Sequence, residues 1–268
     1  MTVCICICVS KKNKRFLENC VISINGLLIP NKYTTEFIFI VPSNISYLKK
    51  FILNRIKSKK IKVNFLTSSR IGIPYARNSF LKFVKQKNYK YLGFLDDDCI
   101  INKFWLKNMI QLMNSDNPDI IAGPQLHKIK DQKIQNYFNL IEPNYNHKQA
   151  IRWAATNNVF FKKELINMNQ IKFDNKLDNI GGSDQLFFHN LFLKGYKIIW
   201  NKRSKVTECF SEERNKINWF LLRNFRYGYS GYYIDSSVNK KFYGILVNIC
   251  KIILLLILSL LNLVFIIK

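Results

Sequence analysis

The chain has 268 residues, 48% of them hydrophobic, which suits one large domain with a full core, or one domain plus a short appendage. Its formal net charge of +25 favours anionic partners such as an acidic membrane surface or phosphorylated ligands. That charge is spread along the chain, with no basic stripe and no helix-turn-helix, finger or RNP signature, which argues against a nucleic-acid partner.

In chain order, Val3–Val9 reads as a strand in which Cys4, Cys6 and Cys8 alternate with Ile5 and Ile7 and so share one face. The seven cysteines contain no CxxC pair, so reduced structural thiols and a reducing compartment are expected. The start MTVCICICVS lacks the basic n-region and full apolar core of a signal peptide. Phe16, Leu17, Cys20, Val21 and Ile24 mark a helical face, and Phe37–Val41 a buried strand closed by Pro42. Ile45, Leu48, Ile52 and Ile56 form a second helical stripe, followed by a strand over Val63–Leu66 and a helix over Ala76–Val84. Tyr91–Leu95 is a strand that runs into three aspartates, Phe104–Met113 a helix, and Ile120–Ala122 a strand ending at Gly123-Pro124. The repeated unit predicts an α/β fold, a mostly parallel sheet flanked by helices, with ligands at the carboxyl ends of the strands.

After Gln125 the rhythm changes. Residues 126–152 are polar with scattered aromatics and read as a loop or short helix over the site. Asn158–Phe161 resumes a strand, and Gly181-Gly182-Ser183-Asp184 opens a helix ending near Gly195. Ile198–Trp200 and Val206–Cys209 are short strands, and Ile217–Tyr227 is a basic, aromatic helix. The run Ile252–Ile267 is apolar except for Ser259 and Asn262, and follows Lys240, Lys241 and Lys251. A span needs about 20 apolar residues, so this run is a marginal spanning helix or one lying in the interface. The lysines would keep the main domain on the cytoplasmic side. The expected division is a catalytic domain over 1–231 and a membrane-associated helical segment over 232–268.

Asp96-Asp97-Asp98 is the sharpest chemical signal. Crowded carboxylates repel and raise one another's pKa, so a cation is expected among them. A hard divalent ion, Mg2+ or Mn2+, shared with substrate phosphate oxygens fits that donor set; an exposed acidic turn or a helix cap is the plainer explanation. Upstream, the segment from Arg70 through Gly72 and Arg77 to Asn78 reads as a loop entering a helix, and both arginine and a helix N-terminus suit a diphosphate. Downstream, Gly182 and Ser183 lead to Asp184 in the first turn of a helix. Capping explains one acidic residue there but not two glycines in front of it, which permit close approach of backbone to ligand.

These pieces, in this order, resemble the family 2 glycosyltransferases of GT-A fold, most closely the exopolysaccharide and succinoglycan type, from about Thr2 to Gly231. Gly72 and Ala76-Arg77-Asn78 match the family's Gly-x-x-x-Ala-Arg-Asn segment, and Asp96 and Asp98 the ends of its Asp-x-Asp motif. The resemblance implies that Asp98 binds the metal and Asp96 the nucleotide ribose, with Asp97 between them. Trp105-Leu106 and Gly123-Pro124 also sit where the family has them. Thr156-Asn157-Asn158 resembles its acceptor-side strand and puts Asn158 on that side. Gly181-Gly182-Ser183-Asp184 resembles its Gly-Gly-Glu-Asp, whose last residue is the base, so Asp184 is the expected catalytic residue. Glu208, Arg214, Trp219, Arg223, Arg226 and Gly228 continue the pattern, and the three arginines are candidates for the diphosphate or a lipid phosphate. Three positions depart from it. Ser183 replaces the usual Glu, Pro42 stands near where an Asp reads the nucleotide base, leaving Ser43 or Asn44 as substitutes, and Ser10-Lys11-Lys12 replaces the usual polar signature.

The resemblance implies an inverting transfer from a nucleotide-diphosphate sugar to a saccharide or polyprenyl-diphosphate-linked acceptor, on the cytoplasmic face of a membrane. A non-catalytic membrane-associated protein of the same fold and a nucleotidyltransferase are the rival readings; retention of all three Asp and of Asp184 argues against the first.

Overall fold

The computed structural model describes residues 1–10, 14–41, 46–68, 70–129, 131–141, 143–169, 171–238, 245–250 and 252–253. Lys11, Lys12, Pro42, Ser43, Asn44, Lys240, Lys241 and Lys251, and the apolar run beyond Ile253, lie outside them. The expectations for nucleotide-base reading and for the C-terminal helix fall on those residues.

β1 (Thr2–Cys8) is the strand on which the sheet is built. Its alternation sends Val3, Ile5 and Ile7 into one buried layer and Cys4 and Cys6 into the other. β2 (Thr34–Val41), β3 (Ile61–Thr67) and β4 (Tyr91–Asp96) run parallel to it, with β1 between β2 and β4. Beyond β4 come β8 (Asn158–Lys162), β6 (Ile120–Ala122) and β9 (Ile198–Trp200), giving the order β3-β2-β1-β4-β8-β6-β9. β8 alone runs against its neighbours, so the sheet is mostly parallel.

One face is covered by α1 (Lys14–Asn25), α2 (Ser46–Leu53) and α4 (Trp105–Asp116), the other by α3 (Ile73–Lys85), α6 (Glu164–Asn169) and α7 (Ser183–Leu193). In α1 the buried set is Leu17, Cys20, Val21 and Ile24, one stripe at helical spacing. A small second sheet joins β5 (Cys99–Ile101), β10 (Val206–Cys209) and β7 (Gln125–Lys128). The segment read as a loop or short helix contains β7 and α5 (Gln132–Ile141).

α8 spans Ile217–Val238, eleven residues past the expected Tyr227, and the boundary expected at Gly231 falls inside it. Ile234 packs with Leu177 and Leu186, which seats the second half of the helix against α7. The seven cysteines are free thiols.

Candidate active site

The carboxyl ends of β1 and β4 meet the amino end of β8, and the aspartates sit in that notch. Asp96 closes β4 opposite Cys8, and Leu95 pairs with Asn158. Asp97 and Asp98 make the turn into β5. Asp97 Oδ2 accepts the Ser10 backbone N–H at 2.6 Å, which ties the end of β1 to the motif. Asp98 Oδ2 accepts Arg214 Nη1 at 3.1 Å, and the same nitrogen donates to Glu208 Oε1 at 2.6 Å. Glu208 is buried on β10; its second oxygen accepts Gln125 Nε2 at 3.0 Å, with His127 Nε2 3.1 Å away. Gln125 Oε1 accepts the side-chain amide of Asn157. A polar chain therefore links Asn157, ahead of β8, to Asp98.

Burial pushes the Asp96 carboxyl up to about 7, against the pull of Arg77 and with added repulsion from Glu208, Asp97 and Asp184. Burial also pushes Asp98 up to about 8; Asp96 and Glu208 add to the rise and Arg214 opposes it. Asp97 is raised by burial and relieved by its bonds from Ser10. For Arg214 burial opposes the charge, but Glu208 and Asp98 outweigh it, and its pKa is raised. Four carboxylates (Asp96, Asp97, Asp98 and Glu208) face two guanidinia, Arg77 and Arg214. This shortage of positive charge, among hard oxygen donors, fits a divalent cation. Among the described residues no group of three or more His, Cys, Asp or Glu is arranged to hold a metal ion by itself.

Asp184 forms the second centre. Gly182, at φ 81°, is the N-cap of α7, and Ser183 is its first helical residue; neither gives a side-chain cap. Asp184 reaches outside its helix. Its Oδ2 accepts the Thr156 backbone N–H at 3.2 Å and the Thr156 hydroxyl at 3.3 Å, while Oδ1 accepts Gln185 N–H at 2.9 Å. Ser183 Oγ accepts Arg77 Nη1 at 3.2 Å. Arg77 is buried over the Phe173 ring, 5.4 Å from its centroid. It thus joins α3 to the turn that opens α7 while its charge acts on Asp96.

Other predicted residues are placed differently. The N-terminus of α3, expected to suit a diphosphate, is taken by the chain itself: Asp178 Oδ1 accepts Ile73 N–H at 2.9 Å. Arg70 is exposed, its guanidinium 5.8 Å from the Tyr75 ring, in a groove with Asn78, Lys82, Lys85 and Lys172. No hydrogen bond or ion pair joins it to the aspartates among the described residues. Asn158, expected to face the acceptor, is buried with its amide engaged by the fold. Oδ1 accepts Trp105 Nε1 at 2.7 Å, and Nδ2 donates to the Pro124 and Ser204 carbonyls at 2.9 and 2.7 Å. Arg223 bonds Tyr227 and lies 4.9 Å from the Trp219 ring, which also stands 5.9 Å from Arg214. Arg226 is exposed on α8.

The sequence gives no signal for Gln125 or Asp178, and marks Thr156 only as part of the acceptor-side strand and Glu208 only as part of a pattern. Glu208 carried a signal: it occupies an inward position of β10, where a charge must find a partner.

Residues 2–173 match the family model described as Glycosyl transferase family 2. The chain belongs to this family. The family 2 chain is 23% identical over 150 residues to the succinoglycan biosynthesis protein ExoM of Rhizobium meliloti (strain 1021), a match covering 52% of the chain and 46% of ExoM. Its fold is similar to S. aureus TarS 1-349 (TM-score 0.56, 15% identity), covering 88% of this chain and 65% of that one. It is also similar to the TarS 1-349 complex with UDP-GlcNAc (TM-score 0.57, 16% identity, 88% and 66% covered). GalNAc-T7 with UDP, GalNAc and Mn2+ is a third likeness (TM-score 0.56, 16% identity, 78% and 44% covered). The chain thus spans about half of ExoM and slightly under two thirds of the TarS fragment. These likenesses place it among GT-A structures.

Proposed function

We propose that this chain moves a sugar from a UDP-linked donor to a hydroxyl of a saccharide or polyprenyl-diphosphate-linked acceptor in cell-surface polysaccharide synthesis. The observation that carries the reading is the meeting of two carboxylate centres across the Arg77–Ser183 bond, Asp184 standing near enough to raise the Asp96 carboxyl. Asp184 takes the acceptor proton as the acceptor oxygen bonds to the anomeric carbon. The bond from that carbon to the diphosphate oxygen breaks, and the nucleoside diphosphate leaves with the electron pair. A single displacement of this kind inverts the anomeric centre. Asp98, with Asp96, would hold Mg2+ or Mn2+, which supplies charge neutralisation to the leaving group when bound. Arg214 lies beside Asp98 and is the guanidinium best placed to pair with phosphate oxygens.

TarS solved with UDP-GlcNAc and GalNAc-T7 solved with UDP and Mn2+ support the donor class and the ion. The ExoM match supports a polysaccharide setting. The apolar run and flanking lysines support a place on the cytoplasmic face of the membrane, with the acceptor held there.

A thermal-shift screen of UDP and UDP-sugars with and without Mn2+ tests the reading. Ion-dependent stabilisation is expected in the wild type and its loss in Asp98→Asn, since an amide is a poorer hard-ion ligand than a carboxylate. Pyrophosphate among the products would instead indicate a nucleotidyltransferase, and absence of any nucleotide effect a non-catalytic relative.

A further inference from the structure

The inner side of α8 packs on the domain through Phe220, Ser230 and Ile234, each at most 5% exposed. Its outer side is unlike a solvated helix face. Leu221, Leu222, Phe225, Tyr229 and Tyr232 are all exposed, Phe225 by 74%. At helical spacing these five fall within an arc of about 100°, so they form one continuous apolar and aromatic stripe. Exposed Arg226 borders it. The helical residues 245–250 and 252–253 repeat the arrangement with Ile245, Leu246, Ile249, Ile252 and Ile253, and Asn248 Nδ2 reaches Asp235 Oδ2 of α8 at 3.5 Å.

We propose that the outer face of α8 lies in the headgroup layer of an anionic membrane and holds the catalytic turn beside that surface. Three observations choose the lipid surface as occupant. Leucine and phenylalanine with tyrosines and a bordering arginine are the composition of an interfacial helix. The net charge of +25 is complementary to acidic lipid. The chain also continues from α8 into a second exposed apolar face and then into the apolar run ending at Ile267. Among the described residues no helix is long and apolar enough to cross a membrane.

The inner face gives the contact its purpose. A Cβ built on Gly182 would stand 3.1 Å from both Ser230 Cβ and Ile234 Cδ1, so α8 is packed directly against the turn that carries Asp184. An acceptor head group at the membrane surface would meet the base within about the width of one helix. The proposal rests on the membrane setting of the proposed function and deepens it, with contact residues that lie on α8 and not in the C-terminal run.

The test uses full-length protein with Phe225→Trp as reporter and Leu193→Trp, in the last turn of α7, as reference. The vesicles are an equimolar mix of brominated phosphatidylcholine and phosphatidylglycerol. Quenching of the indole fluorescence added by Phe225→Trp is expected, with little at Leu193→Trp. The double substitution Leu222→Glu and Phe225→Glu, at exposed positions, should weaken vesicle affinity by about tenfold or more with the thermal midpoint unchanged. Vesicle binding without quenching at Phe225→Trp would overturn the proposal and leave the C-terminal run as the contact. A stable dimer in light scattering, with Phe225→Trp shielded from iodide before lipid is added, would also overturn it, since a second copy would then cover the face. Sugar transfer to a soluble acceptor is measured separately, so failure of the enzymatic reading and failure of the docking face give different results.

Discussion

Asp184 holds three hydrogen bonds, two of them from Thr156, which lies outside its own helix. Asp184→Asn keeps the shape but turns one amide donor toward a backbone donor, at a cost of about 1 kcal/mol. Under the base role proposed for Asp184, the substitution should lower transfer by about 10²–10⁴-fold. UDP-sugar affinity, measured by titration on the same preparation, should stay within a few-fold; equal loss of binding and turnover would move Asp184 to the donor side. Asp96 makes a pH prediction. Folded Asp96 keeps its proton up to about 7 and Asp98 up to about 8, while an unfolded aspartate releases it near about 4. The folded chain therefore binds more protons across that window, and metal-free stability falls as pH rises from roughly 4 to 8 and then levels. Asp96→Asn removes part of this dependence. Its thermal midpoint should gain on the wild type as pH rises from about 4 to about 7, and a constant difference would count against the shift. The residue types of the site were legible in the chain because crowded acids and paired glycines have few bland explanations. Their partners were not: Arg214 lies 116 residues from Asp98 and Asp178 lies 105 from Ile73, separations that no local pattern spans.

At the scale of elements, periodicity located the long strands and helices because burial of one face imposes it. The three- and four-residue strands β5 and β7 exist through pairing with β10, and nothing within them announces a strand. The reach of α8 depended on Ile234 finding Leu177 and Leu186, again a distant packing event. A loop entering α3 was visible over residues 70–78, but the use of Gly72 within it was not. Gly72 has φ 137°, and a Cβ there would stand 2.4 Å from both carboxylate oxygens of Asp178. Gly72→Ala should therefore both strain the backbone and displace the carboxylate from Ile73 N–H. A loss of about 2 kcal/mol or more in chemical denaturation is expected. Wild-type stability in that variant would mean the loop relaxes without the Asp178 contact.

For the whole molecule, the sequence alone assigns membrane contact to the terminal apolar run, so removing residues after Tyr243 should release the protein completely. The face on α8 changes the expected outcome. The shortened chain should sediment more weakly with anionic vesicles than the full chain, yet measurably, and its residual binding should decline as salt is raised from low to physiological. Complete release at low salt would return the contact to the run alone. The charge of +25 was legible at once, but its spread along the chain does not mark where a surface would meet it.

The packing of Gly182 on Ser230 and Ile234 leaves no gap between the turn that carries Asp184 and the helix behind it. An enzyme resting on lipid through that helix would search for its acceptor in two dimensions. Its rate would then follow the number of acceptors per unit area of surface, and adding empty vesicles would slow it by dilution even though nothing inhibits the site.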